Sequence, residues 1–214
     1  MQPDWRNYKA LLFDMDGTLV DSEGNTEIAV REYLVARNLD PDQIEDYQLF
    51  HGRTWQNIEL LLNQRFAELQ GADLQRPLQQ RFHELFLSPA LPYIAGAPEF
   101  LRQASRYCQI AIVTSSNRES AEYLVTRMQL ESEIALVMGA EDFSRSKPDP
   151  ECYLSAARQL DTRPAECMVF EDSQAGLQSA LAAGTARTAV GRPAQAFADL
   201  NRLADFHIID FLGL

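Results

Sequence analysis

Two carboxylates stand one residue apart in Leu12-Phe13-Asp14-Met15-Asp16-Gly17-Thr18-Leu19, at the end of an apolar run and just before a glycine. With Lys9 to Phe13 read as a buried strand, side chains alternate along the extended chain, so Asp14 and Asp16 are expected on one side. Two acids in one small volume repel unless a cation or a proton lies between them, and the pair therefore points to a metal site or an acid/base couple. Asp16-Gly17 is equally a strong hairpin signal, and these residues alone leave a plain turn as an even alternative.

Three further polar clusters follow apolar runs. Val113-Thr114-Ser115-Ser116-Asn117-Arg118 brings hydroxyls to the start of a helical pattern, where free backbone N–H groups favour an anion; one of these residues serving only as an N-cap is the plainer reading, and the two are compatible. In Arg145-Ser146-Lys147-Pro148-Asp149-Pro150 the first proline is expected to hold Lys147 extended and Pro150 to start a helix, which sets a cation at a fixed place. Val169-Phe170-Glu171-Asp172-Ser173 ends a buried run in two adjacent acids, costly without a cation to offset them. With no histidine or cysteine nearby in sequence, an oxygen-only site for magnesium or another hard cation fits, and zinc does not. Gly176 and the alanines of Ala180 to Gly184 read as structural, letting a helix pack close to the sheet.

The elements that must position these groups alternate. Ala10–Phe13, Ile110–Thr114, Ala135–Met138, Met168–Phe170 and Thr188–Val190 read as short strands, each followed by a helical pattern. That order implies an α/β fold with a mostly parallel sheet covered by helices on both faces, whose ligands sit beyond the carboxyl ends of the strands. From Asp21 to about Leu91 no strand-like run occurs. Apolar residues recur there at helical spacing, as in Ile28, Val30, Tyr33, Leu34 and in Ile58, Leu61, Leu62, Phe66. This is too much chain for one crossover, so residues 21–92 are expected to form an inserted helical domain and residues 1–20 with 93–214 the core.

Composition narrows the partners. The chain has 214 residues, with 19 basic and 31 acidic side chains for a net charge of −12. Such a charge repels nucleic acid and anionic membranes, so neither is an expected partner, and any phosphorylated ligand must find a local cationic patch. No apolar stretch approaches the roughly 20 residues that span a bilayer, and Met1-Gln2-Pro3-Asp4 lacks the basic and apolar regions of a secretory signal, so a cytoplasmic protein is expected; a monomer is the separate expectation for its oligomeric state. Cys108, Cys152 and Cys167 are scattered and read as reduced thiols.

Taken in order, Asp14-Met15-Asp16-Gly17-Thr18, Thr114, Lys147 and Glu171-Asp172 strongly resemble the haloacid dehalogenase superfamily of aspartate-nucleophile phosphohydrolases. The resemblance covers nearly the whole chain and implies a Rossmann-like core with an all-helical, C1-type cap. Carried onto this sequence, it implies that Asp14 attacks phosphorus while Asp16 protonates the leaving oxygen and later activates water. Thr114, Ser115 and Lys147 would hold phosphate oxygens. Magnesium would be bound by the Asp14 carboxylate, the Asp16 backbone carbonyl and Asp172, with Glu171 in direct contact or orienting the shell or its water. Phosphate beside Asp14, Glu171 and Asp172 gathers about five negative charges, each close pair repelling by about 4 kcal/mol at 4 Å in an intermediate dielectric, so magnesium and Lys147 are both needed.

A small phosphorylated metabolite is thus the expected substrate and phosphomonoester hydrolysis the expected reaction. Dehalogenases do not need an acid two residues after the nucleophile, so Asp16 disfavours that activity. A β-phosphoglucomutase-like phosphosugar mutase is the runner-up, because that branch has a histidine shortly after the first motif where this chain reads Asp21-Ser22-Glu23-Gly24-Asn25-Thr26. A receiver-like phospho-acceptor or binding protein would lack the long helical insert. Substrate choice is expected in the cap, at Leu49-Phe50-His51-Gly52-Arg53-Thr54, with Arg53 and then His51 touching the non-reacting portion of the substrate.

Overall fold

A computed structural model describes residues 3–50, 55–191 and 202–214. The strands are β1 Ala10–Phe13, β2 Gln109–Val113, β3 Ile134–Met138, β4 Cys167–Glu171, β5 Ala186–Val190 and β6 Phe206–Ile208. The helices are α1 Glu23–Val35, α2 Trp55–Arg65, α3 Gln75–Phe86, α4 Ala97–Ala104, α5 Arg118–Met128, α6 Glu151–Gln159 and α7 Gln174–Ala183. They divide into two compact units, one formed by Met1–Asp21 with Pro92–Leu214 and the other by Ser22–Leu91. No helix among the described residues is long and apolar enough to cross a membrane. The three cysteines are buried and free.

The larger unit is built around β1. All four residues of this strand are fully buried, because it lies inside the sheet with covered faces on both sides. The strands run parallel in the order β3-β2-β1-β4-β5-β6, a Rossmann-like topology. The chain order reverses between β1 and β4, and the connections leaving these two strands go opposite ways, opening a crevice at their carboxyl ends. Asp14 and Glu171 are the residues at those ends.

Alternation splits the apolar side chains of the sheet into two cores. Ala10 and Leu12 of β1, Ala111 and Val113 of β2, and Cys167 and Val169 of β4 pack with Cys152, Tyr153, Ala156 and Ala157 of α6 and Ala180 of α7. On the other face Phe13 stacks on Phe170 at 4.6 Å between ring centroids, and both meet Phe100 of α4 and Phe211. Phe211 holds the C-terminal segment down, since its backbone N–H also donates to the Ala95 carbonyl at 2.9 Å. The strand β6 escapes sequence inspection: Phe206-His207-Ile208 is too short to show alternation and pairs only with β5.

The unit Ser22–Leu91 has its own core of Ala29, Val30, Tyr33 and Leu34 from α1, Ile58 and Leu62 from α2, Phe66 after it, and Leu78 of α3. Ala29 rather than the expected Ile28 completes the inner stripe of α1; Ile28 is 41% exposed. Tyr33 crosses to α3's approach by donating its hydroxyl to the Asp73 carbonyl at 3.2 Å. The Arg81 guanidinium of α3 makes hydrogen bonds of 2.6 and 3.2 Å to Glu32 of α1.

Truncating Phe211 to alanine empties a site among three other rings, and such truncations cost about 3 kcal/mol or more. Phe211→Ala is expected to lower the thermal midpoint of the larger unit by roughly 8 °C, read by calorimetry; a change below about 2 °C would show that the C-terminal segment is not part of this core.

Candidate active site

The loop after β1 arises from one carbonyl. Met15 O accepts the N–H groups of Thr18, Leu19 and Val20, and the Gly17 N–H donates to Val20 O with Gly17 at φ +78°, so the chain coils tightly after leaving the strand. The strand therefore stops at Phe13, and the expectation of an extended run through Asp16 is corrected, although Asp16 stays close enough to Asp14 for its charge to act there. Asp16-Gly17 does turn the chain, but within this coil and not between antiparallel strands. Asp14 continues the parity of Ala10 and Leu12 toward α6, while Asp16 turns to the loop after β2 and accepts the Ser116 hydroxyl at 2.7 Å.

Lys147 is the centre of the site. Its ammonium donates to Asp14 Oδ1 at 2.6 Å, to Glu171 Oε1 at 2.7 Å and to the Val113 carbonyl at 3.1 Å. All three of its N–H groups are thus engaged, and the side chain is buried. The peptide joining it to Pro148 is cis, and Pro150 caps α6. Burial works against the charged ammonium, but Asp14 and Glu171 outweigh it and hold the lysine pKa well above its usual value. For Asp14 burial is the largest influence and pushes the carboxyl upward; Lys147 pulls it down, Glu171 and Asp16 push it up, and the net direction is upward. Keeping Asp14 ionised therefore calls for more positive charge than Lys147 alone supplies.

Glu171 is fully buried with both oxygens occupied. Oε1 accepts Lys147 and, at 2.9 Å, the Tyr153 hydroxyl; Oε2 accepts the Ser173 N–H at 3.1 Å and its hydroxyl at 2.9 Å. The Asp172 Oδ1 accepts the hydroxyl of the buried Thr18 at 3.3 Å. Ligand oxygens of Asp14, Glu171 and Asp172 lie within 4.8 Å of one another. Three converging carboxylates with only oxygen donors fit magnesium, and Asp14 and Asp172 are the pair best suited to hold it because the donors on Glu171 already saturate that side chain.

Both glycines of the flanking motifs make room for these acids. A Cβ on Gly17 would sit 2.1 Å from Asp172 Oδ2, and one on Gly176 would sit 1.7 Å from Glu171 Oε1. Gly176 thus lets α7 come close to the sheet, as expected, and the sheet atoms it makes room for are those of the Glu171 carboxylate at the end of β4. The Ser173 hydroxyl accepts the Gly176 N–H at 3.0 Å and so caps α7 while it also holds Glu171.

The loop after β2 divides its tasks. Asn117 is the N-cap of α5, its side chain accepting the Ser120 N–H at 2.8 Å. Thr114 is buried and its hydroxyl accepts the Ser116 N–H at 3.0 Å, which shapes the loop; Ser115 is exposed. Ser116, Tyr153, Thr18 and Ser173 are polar contacts that motif reading passed over as site residues. Thr18 and Ser173 lie inside the quoted motifs, whereas Tyr153 sits at an apolar helix position and carries no local signal. His51 and Arg53 lie outside the described residues.

The haloacid dehalogenase-like hydrolase family profile matches residues 11–190. Hexitol phosphatase A of Escherichia coli (strain K12) is 34% identical over 203 residues, covering 94% of this chain and 89% of its own. The β-phosphoglucomutase of Bacillus subtilis (strain 168) is 24% identical over 190 residues, covering 86% of this chain and 84% of its own. The crystal structure of a HAD family hydrolase from Deinococcus radiodurans R1 with bound phosphate and sodium superposes with a TM-score of 0.73 at 29% identity, covering 96% of this chain and 93% of that one.

Because Glu171 is locked by four donors, it has nowhere to move when a methyl group arrives at Gly176. Gly176→Ala is expected to destabilise the larger unit by about 2 kcal/mol and to weaken activity by displacing the Lys147 partner. An unchanged thermal midpoint with full activity would show that the carboxylate yields freely.

Proposed function

Since the chain belongs to the haloacid dehalogenase-like hydrolases, we propose that it is a magnesium-dependent phosphatase acting on a small phosphorylated metabolite, of which phosphorylated sugars and sugar alcohols are the leading class. The observation that carries this reading is Lys147, shared between Asp14 and Glu171 at the carboxyl ends of β1 and β4, beside Asp172. A buried lysine facing an acidic cluster suits a phosphate dianion and a divalent cation that balance each other there. Hexitol phosphatase A supports the sugar-phosphate class.

In the proposed reaction the Asp14 carboxylate attacks phosphorus, forming an aspartyl phosphate as the ester P–O bond breaks. Asp16 gives its proton to the leaving oxygen, then takes one from the water that attacks phosphorus, releasing inorganic phosphate and restoring Asp14. The Ser116 hydroxyl, donating to Asp16 Oδ2, supports this assignment by holding the carboxyl in place. Lys147, with Thr114 and Ser115 in the loop after β2, is assigned to the phosphate oxygens. Magnesium, held by Asp14, Asp172 and the Asp16 carbonyl, would supply positive charge to the phosphate and keep Asp14 ionised. The unit Ser22–Leu91 is assigned the choice of substrate.

A phosphosugar mutase is the second reading, favoured by the likeness to β-phosphoglucomutase. It is ranked lower because Asp21 to Thr26 lacks a histidine.

A phosphate-release screen over phosphorylated sugars, sugar alcohols, nucleotides and phosphoglycolate, with product analysis for isomers, separates the two readings. Hydrolysis with no isomerised product is expected, and isomerisation in its place would favour the mutase. Asp14→Asn is expected to lose at least about 1,000-fold in kcat with its circular dichroism intact; appreciable turnover by a clean preparation would overturn the nucleophile assignment. Chelation with EDTA should abolish release and added magnesium restore it, whereas release unaffected by EDTA would remove the metal from the reaction.

A further inference from the structure

We infer that Tyr153 is a positioning residue for the phosphate-binding lysine, acting through Glu171 so that the Lys147 bond to Asp14 is the one exchanged for phosphate. The inference rests on the phosphatase reading and deepens it.

Lys147 has three N–H groups and three acceptors: Asp14, Glu171 and the Val113 carbonyl. A phosphate oxygen that binds this ammonium must take the place of one of them. The Val113 carbonyl is fixed by the sheet. The choice therefore falls between the two carboxylates, and the one more firmly held keeps its bond.

Glu171 is the firmly held one. Tyr153 enters the site from the first turn of α6, on the sheet face whose parity carries both Asp14 and Glu171. Its hydroxyl donates to the same Oε1 that accepts Lys147, and its ring lies 5.1 Å from the ammonium. The Ser173 N–H and hydroxyl pin the other oxygen. Glu171 thus cannot rotate toward phosphate or cation. With its charge shared among four donors it also pulls less strongly on Lys147, leaving that ammonium able to face phosphate. Burial, reinforced by Glu171, pushes the phenol pKa well above its usual value, so the hydroxyl stays a donor through the neutral range.

A tyrosine that only filled the core would place its hydroxyl at the surface or on a backbone carbonyl. Phenylalanine would fill the same volume among Val169, Ala156 and Ala180 without a polar atom to bury. Here the hydroxyl is spent on one oxygen of an ion pair, and removing it leaves Glu171 Oε1 with Lys147 alone. The ammonium is then drawn toward Glu171, and the carboxylate is free to turn.

The experiment compares wild type, Tyr153→Phe, Glu171→Gln and the double variant. Each is titrated calorimetrically with inorganic phosphate in magnesium buffer and assayed on p-nitrophenyl phosphate, with thermal midpoints measured alongside. Tyr153→Phe is expected to weaken phosphate binding and lower kcat/KM by about tenfold each. In the Glu171→Gln background the same change is expected to add less than about twofold. Ser173→Ala, which loosens the other oxygen, is expected to weaken phosphate binding in the same Glu171-dependent way, and it carries the test if Tyr153→Phe does not fold. Wild-type affinity and turnover in both variants, or an equal loss with and without Glu171, would overturn the inference while leaving the phosphatase reading intact. A wild-type protein that neither binds phosphate nor releases it from any ester would remove both.

Discussion

A single ammonium group, taken out of water and held between two carboxylates, sets the terms for the larger unit of this protein. Lys147 meets Asp14 from the end of β1, the Val113 carbonyl from β2 and Glu171 from β4. Desolvating three charged groups costs several kcal/mol for each ion, and their attraction recovers that cost only when geometry and hydrogen bonding are close to ideal. The sheet supplies the geometry by ending three adjacent strands at one level. Tyr153, Ser173 and the two motif glycines supply the hydrogen bonds and the space. Arrangements of this kind contribute little to stability and a great deal to readiness, because the charges stand in place before a substrate arrives.

Much of this was legible in the sequence because it was local. Five of the six strands are apolar runs bounded by polar residues, and the parallel order follows from their alternation with helices. Acids directly after such runs are conspicuous, so Asp14, Glu171 and Asp172 could be named before any fold was drawn. What stayed hidden acts through space. The contact of Ser116 with Asp16 joins residues one hundred positions apart, and Tyr153 reads as core because its neighbours on α6 are core. One local inference went astray for the same reason. The extended run assumed through Asp16 ignored the coil closed on the Met15 carbonyl. The helix-to-sheet role read for Gly176 holds, and what the sequence left out is that the sheet atoms it meets are the Glu171 carboxylate.

The chain's net charge of −12 adds meaning to the site. A protein that repels phosphates at long range binds one only where a positive charge is shielded from water and aimed. Lys147 meets that description among the described residues. On the phosphatase reading, the net negative charge and the buried lysine would act together, disfavouring polyanions at long range while the crevice offers a small ester a partner for its charge.

The position of β1 in the sheet bears on how the chain is made. Among the described strands it is made first, yet it lies inside the sheet, and its partners β2 and β4 follow only after the whole Ser22–Leu91 unit has been synthesised. At ordinary translation speeds the segment Ala10–Phe13 waits unpaired for roughly five to twenty seconds. Ser22–Leu91 is contiguous and is complete before β2 is made. The larger unit closes late, when β1 is captured by strands made after it, and until then its four apolar residues lack the sheet partners that bury them.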